Sequence, residues 1–95
     1  MCIHWAMQFE WDSEKARINR TKHGVELADA IEVIFDPLGL TTSDDYAGEV
    51  RHVTLGIDAF GRVLVVVYVK RREHVRMISA RRATRRERER YQEKP

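Results

Sequence analysis

The chain has few of the features that identify secreted, membrane or disulfide-bonded proteins. Cys2 is the only cysteine among 95 residues, so no internal disulfide can form, as is usual for proteins of the reducing cytosol. No apolar run approaches the roughly 20 residues of a membrane-spanning helix. The N-terminus has no basic start followed by a long apolar stretch, as a secretion signal would. We therefore expect a cytoplasmic protein that does not act at a membrane.

The sequence also lacks the patterns that bind metals or nucleotides or that activate a covalent nucleophile. The four histidines are scattered and show no paired metal-ligand spacing; they are His4, His23, His52 and His74. There is no Gly-rich phosphate loop and no G-x-S-x-G motif. We therefore expect neither a metal site nor a cofactor.

Charge is divided unevenly along the chain. Residues 1–48 carry four Lys/Arg and nine Asp/Glu, a net charge of −5, whereas residues 49–95 carry thirteen and six, a net charge of +7. A basic surface favours phosphate-rich partners, although the two halves can also neutralise each other within the fold. The hydrophobic fraction of 43% is sufficient for the core of one small domain.

Local patterns in the first half predict a short strand and two helices. Residues 7–11 alternate as a strand does, and Asp12 is a suitable N-cap for a helix over 13–22 that ends before Gly24. A second helix, ended by Asp36-Pro37, is predicted by an apolar stripe at helical spacing, formed by Leu27, Ala30, Ile31 and Ile34.

The second half predicts a sheet and a closing helix. Strands are expected over 38–42, 52–58, 62–70 and 75–80. Residues 43–48 are predicted to be a loop, and the strand over 62–70 is apolar on both faces, as in a central strand. The capping-box sequence at 84–87 begins the last helix. The predicted fold is α+β: two N-terminal helices, an antiparallel sheet of about four strands plus a short N-terminal strand, and a C-terminal helix.

Several separated motifs in this chain carry a family resemblance. In order, they are FEWD at 9–12, NRTKHGV at 19–25, DP at 36–37, GR followed by LVVVY at 61–68, and ISARRATRRERERY at 78–91. Together they resemble the BrnT toxin family of bacterial type II toxin–antitoxin systems. The resemblance covers nearly the whole chain, so we expect one BrnT-like domain over 1–95, with 1–6 as an N-terminal extension and 93–95 frayed.

The resemblance implies a RelE-like fold and a ribonuclease that halts translation. It also implies a BrnA-like antitoxin, whose dimer binds operator DNA through a ribbon-helix-helix domain. The toxin would reach DNA only through this antitoxin. One departure is the stretch DDYAGEVR at 44–51, which lacks the histidine and serine that family members often have there. Two alternatives therefore stay open: a non-catalytic toxin-like module that binds antitoxin and acts in operon autoregulation, and a nucleic-acid binder without cleavage.

Metal-independent RNA cleavage needs groups that move protons and stabilise the charge growing on phosphorus. Arginine suits the second task, because its planar fork matches phosphate oxygens bidentately. Arg81 and Arg82 follow the fourth strand, so we expect one of them to enter a cleft. The alternative is that they bind an acidic patch of the first half or the antitoxin.

The other catalytic candidates are Tyr68, Lys22 and His23. Tyr68 ends the central strand and could stack on a base or act as an acid, or it could be a core tyrosine. Lys22 and His23 lie at a helix end, where an imidazole can exchange protons near neutral pH or serve as a capping cation.

Five more arginines are candidates for RNA binding. Arg76 is expected to share a face with Arg82. Arg51 and Arg62 flank strands and could equally be ordinary sheet-edge charges. Arg85 and Arg86 lie on the last helix, which is otherwise a solvated face with an excess of basic residues.

Overall fold

A computed structural model describes residues 7–93. Its elements are, in chain order, β1 (Gln8–Glu10), α1 (Ser13–His23), α2 (Ile31–Ile34), β2 (Leu40–Tyr46), β3 (Glu49–Ile57), β4 (Val63–Arg71), β5 (His74–Arg82) and α3 (Arg85–Gln92). The strands form one sheet in the order β1-β5-β4-β3-β2, which is antiparallel except for the parallel pair β1–β5. The α+β class and the central position of β4 are confirmed. The expected extension at 1–6 and most of the frayed end lie outside the described residues.

The two faces of the sheet are covered unequally. We call the face under α1 and α2 the helical face; its core includes Leu64, Val66 and Tyr68 of β4. We call the opposite face the open face, because only α3 packs there. Tyr91 of α3 packs against a small cluster that contains Leu55 and Val65, at one end of this face. The rest of the open face has no helix over it among residues 7–93.

Helix α1 begins and ends where the sequence predicts. The Asp12 carboxylate caps it by accepting a hydrogen bond from the Lys15 N–H at 3.0 Å. Gly24 ends it with a φ of 70°, a left-handed conformation that a residue without a Cβ adopts at little cost.

The buried side chain of Asn19 joins α1 to β5. Its Nδ2 donates to the carbonyl oxygens of Val25 and Ala80, each at 2.9 Å, and its Oδ1 accepts from the Ala80 N–H at 3.1 Å. Because β1 pairs with β5 only over 74–76, Ala80 has no strand on its outer side among the described residues. The Asn19 amide therefore takes the place of a neighbouring strand at this position.

The second helix is shorter than predicted. The chain over 27–30 forms turns, and only Ile31–Ile34 is α-helical. Hydrogen bonds such as Ala30 N–H to the Leu27 carbonyl, at 3.1 Å, span three residues. Three-residue turns bring every third side chain to the same side. Leu27, Ala30 and Val33 are therefore buried, and Ile31 and Ile34 of the expected stripe are partly buried against the same core.

Strand β2 extends into the stretch that was predicted to be a loop. It runs over 40–46 and pairs with β3, and the turn between them is limited to Ala47 and Gly48, with φ values of 52° and 82°. The predicted loop at 43–48 was wrong because β2 is an edge strand, nearly all of it exposed. Polar residues such as Ser43 can occupy both sides of such a strand without being buried.

A β-bulge at Ile78 determines which arginines share a face. Tyr68 lies opposite Met77, whereas Val67 lies opposite Ser79, so Ile78 is an extra residue in β5. Beyond the bulge the alternation of β5 is reversed.

Consequently, Arg76 and Arg81 lie on the open face, opposite Val69 and Val65. Arg82 lies opposite Leu64 on the helical face. The expectation that Arg76 shares a face with Arg82 was therefore wrong, because strict alternation does not hold across a bulge.

Helix α3 is held to the open face at both ends. Near its C-terminus, the Tyr91 hydroxyl donates to Asp36 Oδ2 at 2.6 Å, and the same oxygen accepts from the Ile57 N–H at 2.9 Å. Burial, and then the Asp36 carboxylate, raise the pKa of Tyr91 to about 12. Near its N-terminus, Glu87 binds Arg81 of β5, and Thr84 and Glu87 form the predicted capping box.

Substituting Asn19→Ala should lower the free energy of unfolding by about 3 kcal/mol, because buried backbone groups of Ala80 and Val25 lose their partners. The change is measured by urea unfolding of the two proteins. Arg17→Ala, on the exposed side of the same helix, is the control and should leave the midpoint nearly unchanged. Equal midpoints for Asn19→Ala and the unmodified protein would show that this amide is not a structural link.

Candidate functional site

The candidate site is the part of the open face that α3 leaves uncovered. Arg51 of β3 and Arg76 of β5 both lie opposite Val69 of β4. Their backbones are therefore two strand spacings apart, about 10 Å. Val67 and Ser79 form the next pair along the strands and are partly exposed. Two cations thus flank a small surface that is mostly apolar.

A cavity of about 110 Å³ opens at one end of this surface, near the β4–β5 turn. Besides Val69, it is lined by five polar side chains from four strands: Glu10, Glu49, Arg71, His74 and Arg76. Glu49 is paired with Arg71 at 2.9 Å. Glu10 has no ion-pair partner among residues 7–93. A carboxylate, an imidazole and a guanidinium therefore line one cavity, where they can transfer protons and bind an anion.

Arg51 has an unused hydrogen-bond donor. Its guanidinium lies over the ring of Tyr46, 4.2 Å from the centroid. Its Nε is buried and has no hydrogen-bond partner among residues 7–93. A bound acceptor that reached this nitrogen would remove the cost of a buried unpaired donor.

Arg81 lies on the same face but is held by α3. Its two terminal nitrogens donate to the two carboxylate oxygens of Glu87 at 2.9 and 3.0 Å. Glu87 also accepts from the Thr84 N–H at 2.8 Å within the capping box. The hydrogen bond from Arg81 is the largest cause that lowers the pKa of Glu87 to about 2. Arg81 is therefore part of the attachment of α3, and the carboxylate that it binds comes from the basic half of the chain.

Two of the predicted catalytic residues lie on the helical face. Tyr68 is buried there; its hydroxyl is bonded to Thr54 Oγ1 at 2.8 Å and its ring stacks on His52. Arg82 is exposed and lines a hollow with Arg62 near α3. The structure does not bring either residue together with Arg76.

Three predicted RNA-binding arginines also lie apart from the cavity. Arg62 binds the buried carboxylate of Asp58 at 2.8 Å, at the turn between β3 and β4. Arg85 pairs with Glu89 at 3.3 Å, and its side chain is 86% exposed. Arg86 is exposed on α3. These three residues do not converge on the uncovered surface.

Lys22 and His23 lie near β5 but outside the cavity of Arg76. They line a separate hollow of about 210 Å³ between α1 and the second half of β5, which includes Ser79.

The sequence interpretation missed four polar residues of the cavity: Glu10, Glu49, Arg71 and His74. His74 and Arg76 are two residues apart in β5, so their alternation could have placed them on one face. Glu10 could not be placed in this way, because its position depends on the parallel pairing of β1 with β5.

Two further properties concern membranes and metals. Within residues 7–93, every helix is too short or too polar to cross a bilayer. The same part of the chain contains no group of three or more His, Cys, Asp or Glu side chains arranged to hold a metal ion.

Comparison with known proteins identifies similar molecules. The family model described as the ribonuclease toxin BrnT of type II toxin–antitoxin systems matches residues 11–87. The crystal structure of the Brucella abortus ribonuclease toxin BrnT is similar with a TM-score of 0.65 and 22% sequence identity, covering 83% of this chain and 99% of that chain. This second likeness supports the five-stranded α+β fold. No curated protein matches the chain.

The Arg81–Glu87 pair predicts a specific pH dependence of stability. The pKa of Glu87 is lowered to about 2 in the folded protein, below the value of about 4.3 for an unfolded chain. Its contribution should therefore be complete above about pH 4.5 and be lost as the pH falls toward 2. Because the pair is partly exposed to solvent, we expect Glu87→Gln to destabilise the protein by only about 1 kcal/mol at neutral pH.

Urea unfolding of both proteins at neutral pH and near pH 2 measures this difference. Glu89→Gln, in the exposed pair with Arg85, is the matched control and should have little effect at either pH. A Glu87→Gln deficit of the same size at both pH values would contradict the assignment.

Proposed function

The chain belongs to the BrnT family of ribonuclease toxins of type II toxin–antitoxin systems, and we propose that it cleaves RNA on the open face of its sheet. The observation that carries this proposal is the cavity in which Glu10, His74 and Arg76 meet. RNA cleavage needs a proton acceptor, a proton donor and a cation for the phosphate, and these three side chains supply one of each.

The reaction uses the RNA as its own nucleophile. The 2′-oxygen attacks the adjacent phosphorus and the bond to the 5′-oxygen breaks, which leaves a 2′,3′-cyclic phosphate and a 5′-hydroxyl. Glu10 accepts the proton of the 2′-hydroxyl, and His74 gives a proton to the departing 5′-oxygen. Arg76 binds the phosphate oxygens, where negative charge increases in the transition state. No metal ion is needed for these steps, so we propose a metal-independent endoribonuclease.

Arg51 binds the RNA beside this centre, on the same face of the sheet. The Arg51 guanidinium, which lies over the Tyr46 ring, offers its positive charge to a phosphate, and the partly exposed Val67 offers an apolar surface to a base. A direct catalytic role for Arg81 would require its bidentate bond to Glu87 to break or be shared. We therefore assign the main charge-stabilising role to Arg76 and keep the role of Arg81 as a prediction to be tested.

In the cell, cleavage of messenger RNA would halt translation in the cytoplasm. We also propose that the fold is RelE-like, as the family resemblance implies. The whole chain would act as a single toxin domain.

A BrnA-like antitoxin is the proposed protein partner. The family is that of a type II system, in which the antitoxin is a protein. The open face presents apolar and cationic groups that such a partner would cover, and operator DNA would be reached only through its ribbon-helix-helix domain.

The alternative is a non-catalytic module that keeps only antitoxin binding and autoregulation. It is favoured by one observation: residues 44–51 form the tip of the β2–β3 hairpin and contain no histidine. The two functions differ in whether the purified chain cleaves RNA.

Purified protein should cleave single-stranded RNA in the presence of EDTA, and Arg76→Ala should slow cleavage roughly 10²–10³-fold, because the phosphate loses its cation. His74→Ala should slow it roughly 10²-fold or more through loss of the proton donor. Rates are measured with an end-labelled RNA, together with detection of the cyclic phosphate. Arg90→Ala, an exposed arginine of α3, is the control and should keep the full rate.

Adding Arg81→Ala and Glu87→Gln to this series separates the roles of Arg81. If Arg81 only anchors α3, the two variants should lose activity to the same small extent. Absence of cleavage by the unmodified protein, or equal rates for it and Arg76→Ala, would contradict the proposed site.

A further inference from the structure

A groove continues from the cleavage cavity along the seam between α1 and β5. A hollow of about 300 Å³ lies beside Glu10, Arg76 and Lys15. A second hollow, of about 210 Å³, lies beside Lys15, Lys22 and His23. The first hollow shares Glu10 and Arg76 with the cleavage cavity. It shares Lys15 with the second hollow, so the three hollows adjoin one another at these side chains.

The groove exists because β1 is much shorter than β5. Strand β1 has three residues and β5 has nine, and the two pair only as far as Arg76. Past that residue, no strand among residues 7–93 covers the outer edge of β5. Helix α1 runs along this edge and contacts it through Asn19. The rest of the seam is left open.

The side of α1 that faces the groove carries cations without partners. Lys15 and Lys22 are seven residues apart, so they lie on the same side of the helix, about 10 Å from each other. Ile18 lies between them and is 48% exposed. Neither lysine has an ion-pair partner among residues 7–93.

The two arginines of α1 are already paired. Arg17 binds Glu14, and Arg20 is paired with Glu26 at 3.4 Å. Carboxylates occur only at the first hollow, where Asp12 is occupied as the cap of α1 and Glu10 faces the cleavage cavity. The hollow at Lys22 has none in its lining.

We propose that this groove binds the stretch of single-stranded RNA that continues from the cleavage cavity. The inference rests on the proposed function and extends it from one phosphate to a track of several. RNA is favoured over a protein segment because the groove begins at Arg76. An RNA chain whose phosphate is held there for cleavage must continue beyond that residue. Spaced cations beside an exposed apolar side chain fit phosphates and a base. Lys22 and His23 then serve in binding and not in the chemical step.

The test compares two double variants that remove the same charge from the same helix. Binding of a fully 2′-O-methylated RNA oligonucleotide, which cannot be cleaved, is measured by fluorescence anisotropy from about 50 to 300 mM salt. Lys15→Ala with Lys22→Ala should reduce the slope of log K against log salt by about 1.4, roughly 0.7 for each phosphate that is no longer neutralised. Arg17→Ala with Arg20→Ala should leave the slope unchanged. Urea unfolding checks that all proteins are folded.

Equal slopes for the lysine double variant and the unmodified protein would overturn the proposal, as would equal reductions in both double variants. Loss of antitoxin binding by the lysine variant with an unchanged RNA slope would also overturn it, because the groove would then be a protein interface. If the protein cleaves RNA but the slopes are equal, only this inference fails. If the slopes differ as expected but no cleavage occurs, the RNA track stands and the ribonuclease proposal fails.

Discussion

The hydrogen bonds between Asn19 and Ala80 are the interaction on which the arrangement of the proposed RNA-binding face depends. Strand β5 extends well beyond β1, and its outer edge would otherwise present unpaired backbone groups. Asn19 satisfies both groups of Ala80, two residues after the bulge at Ile78. It thereby holds the strand where its alternation has just been reversed, and this reversal places Arg81 on the same face as Arg76. One amide thus links helix α1, the bulge and the orientation of the arginines.

Helix α3 divides the open face into a covered half and an uncovered half, where we propose that RNA binds. It is attached by Glu87 to Arg81 and by Tyr91 to Asp36, and it covers the cluster around Leu55 and Val65. A domain of this size buries a smaller fraction of its surface on folding than a large domain does. Because α3 covers only half of the open face, the other half is free for the proposed binding. The helical face contains the main core. Arg81 lies at the boundary between the two halves, where it binds Glu87 of α3.

Patterns among neighbouring residues predicted the helices and strands, whereas the candidate site depends on pairing between strands that are distant in the sequence. The caps at Asp12 and Thr84 and the two-sided apolar pattern of β4 could be read directly, since each depends on neighbours in sequence. The bulge at Ile78 could not be read in this way, so Arg76 was expected to share a face with Arg82, whereas it shares one with Arg81.

Patterns among neighbouring residues also could not predict which residues of distant strands line the same cavity. Glu10 meets His74 and Arg76 only because β1 pairs in parallel with β5, more than 60 residues later in the chain. The family motifs indicated a ribonuclease family. They favoured Arg81 and Arg82 as catalytic candidates and did not indicate the cavity at the start of β5. Whether RNA binds the open face is tested by methyl NMR of the valines during titration with 2′-O-methylated RNA. The methyl signals of Val67 on the open face should shift while those of its neighbour Val66 on the helical face should not; shifts of Val66 without Val67 would show that RNA does not bind the open face.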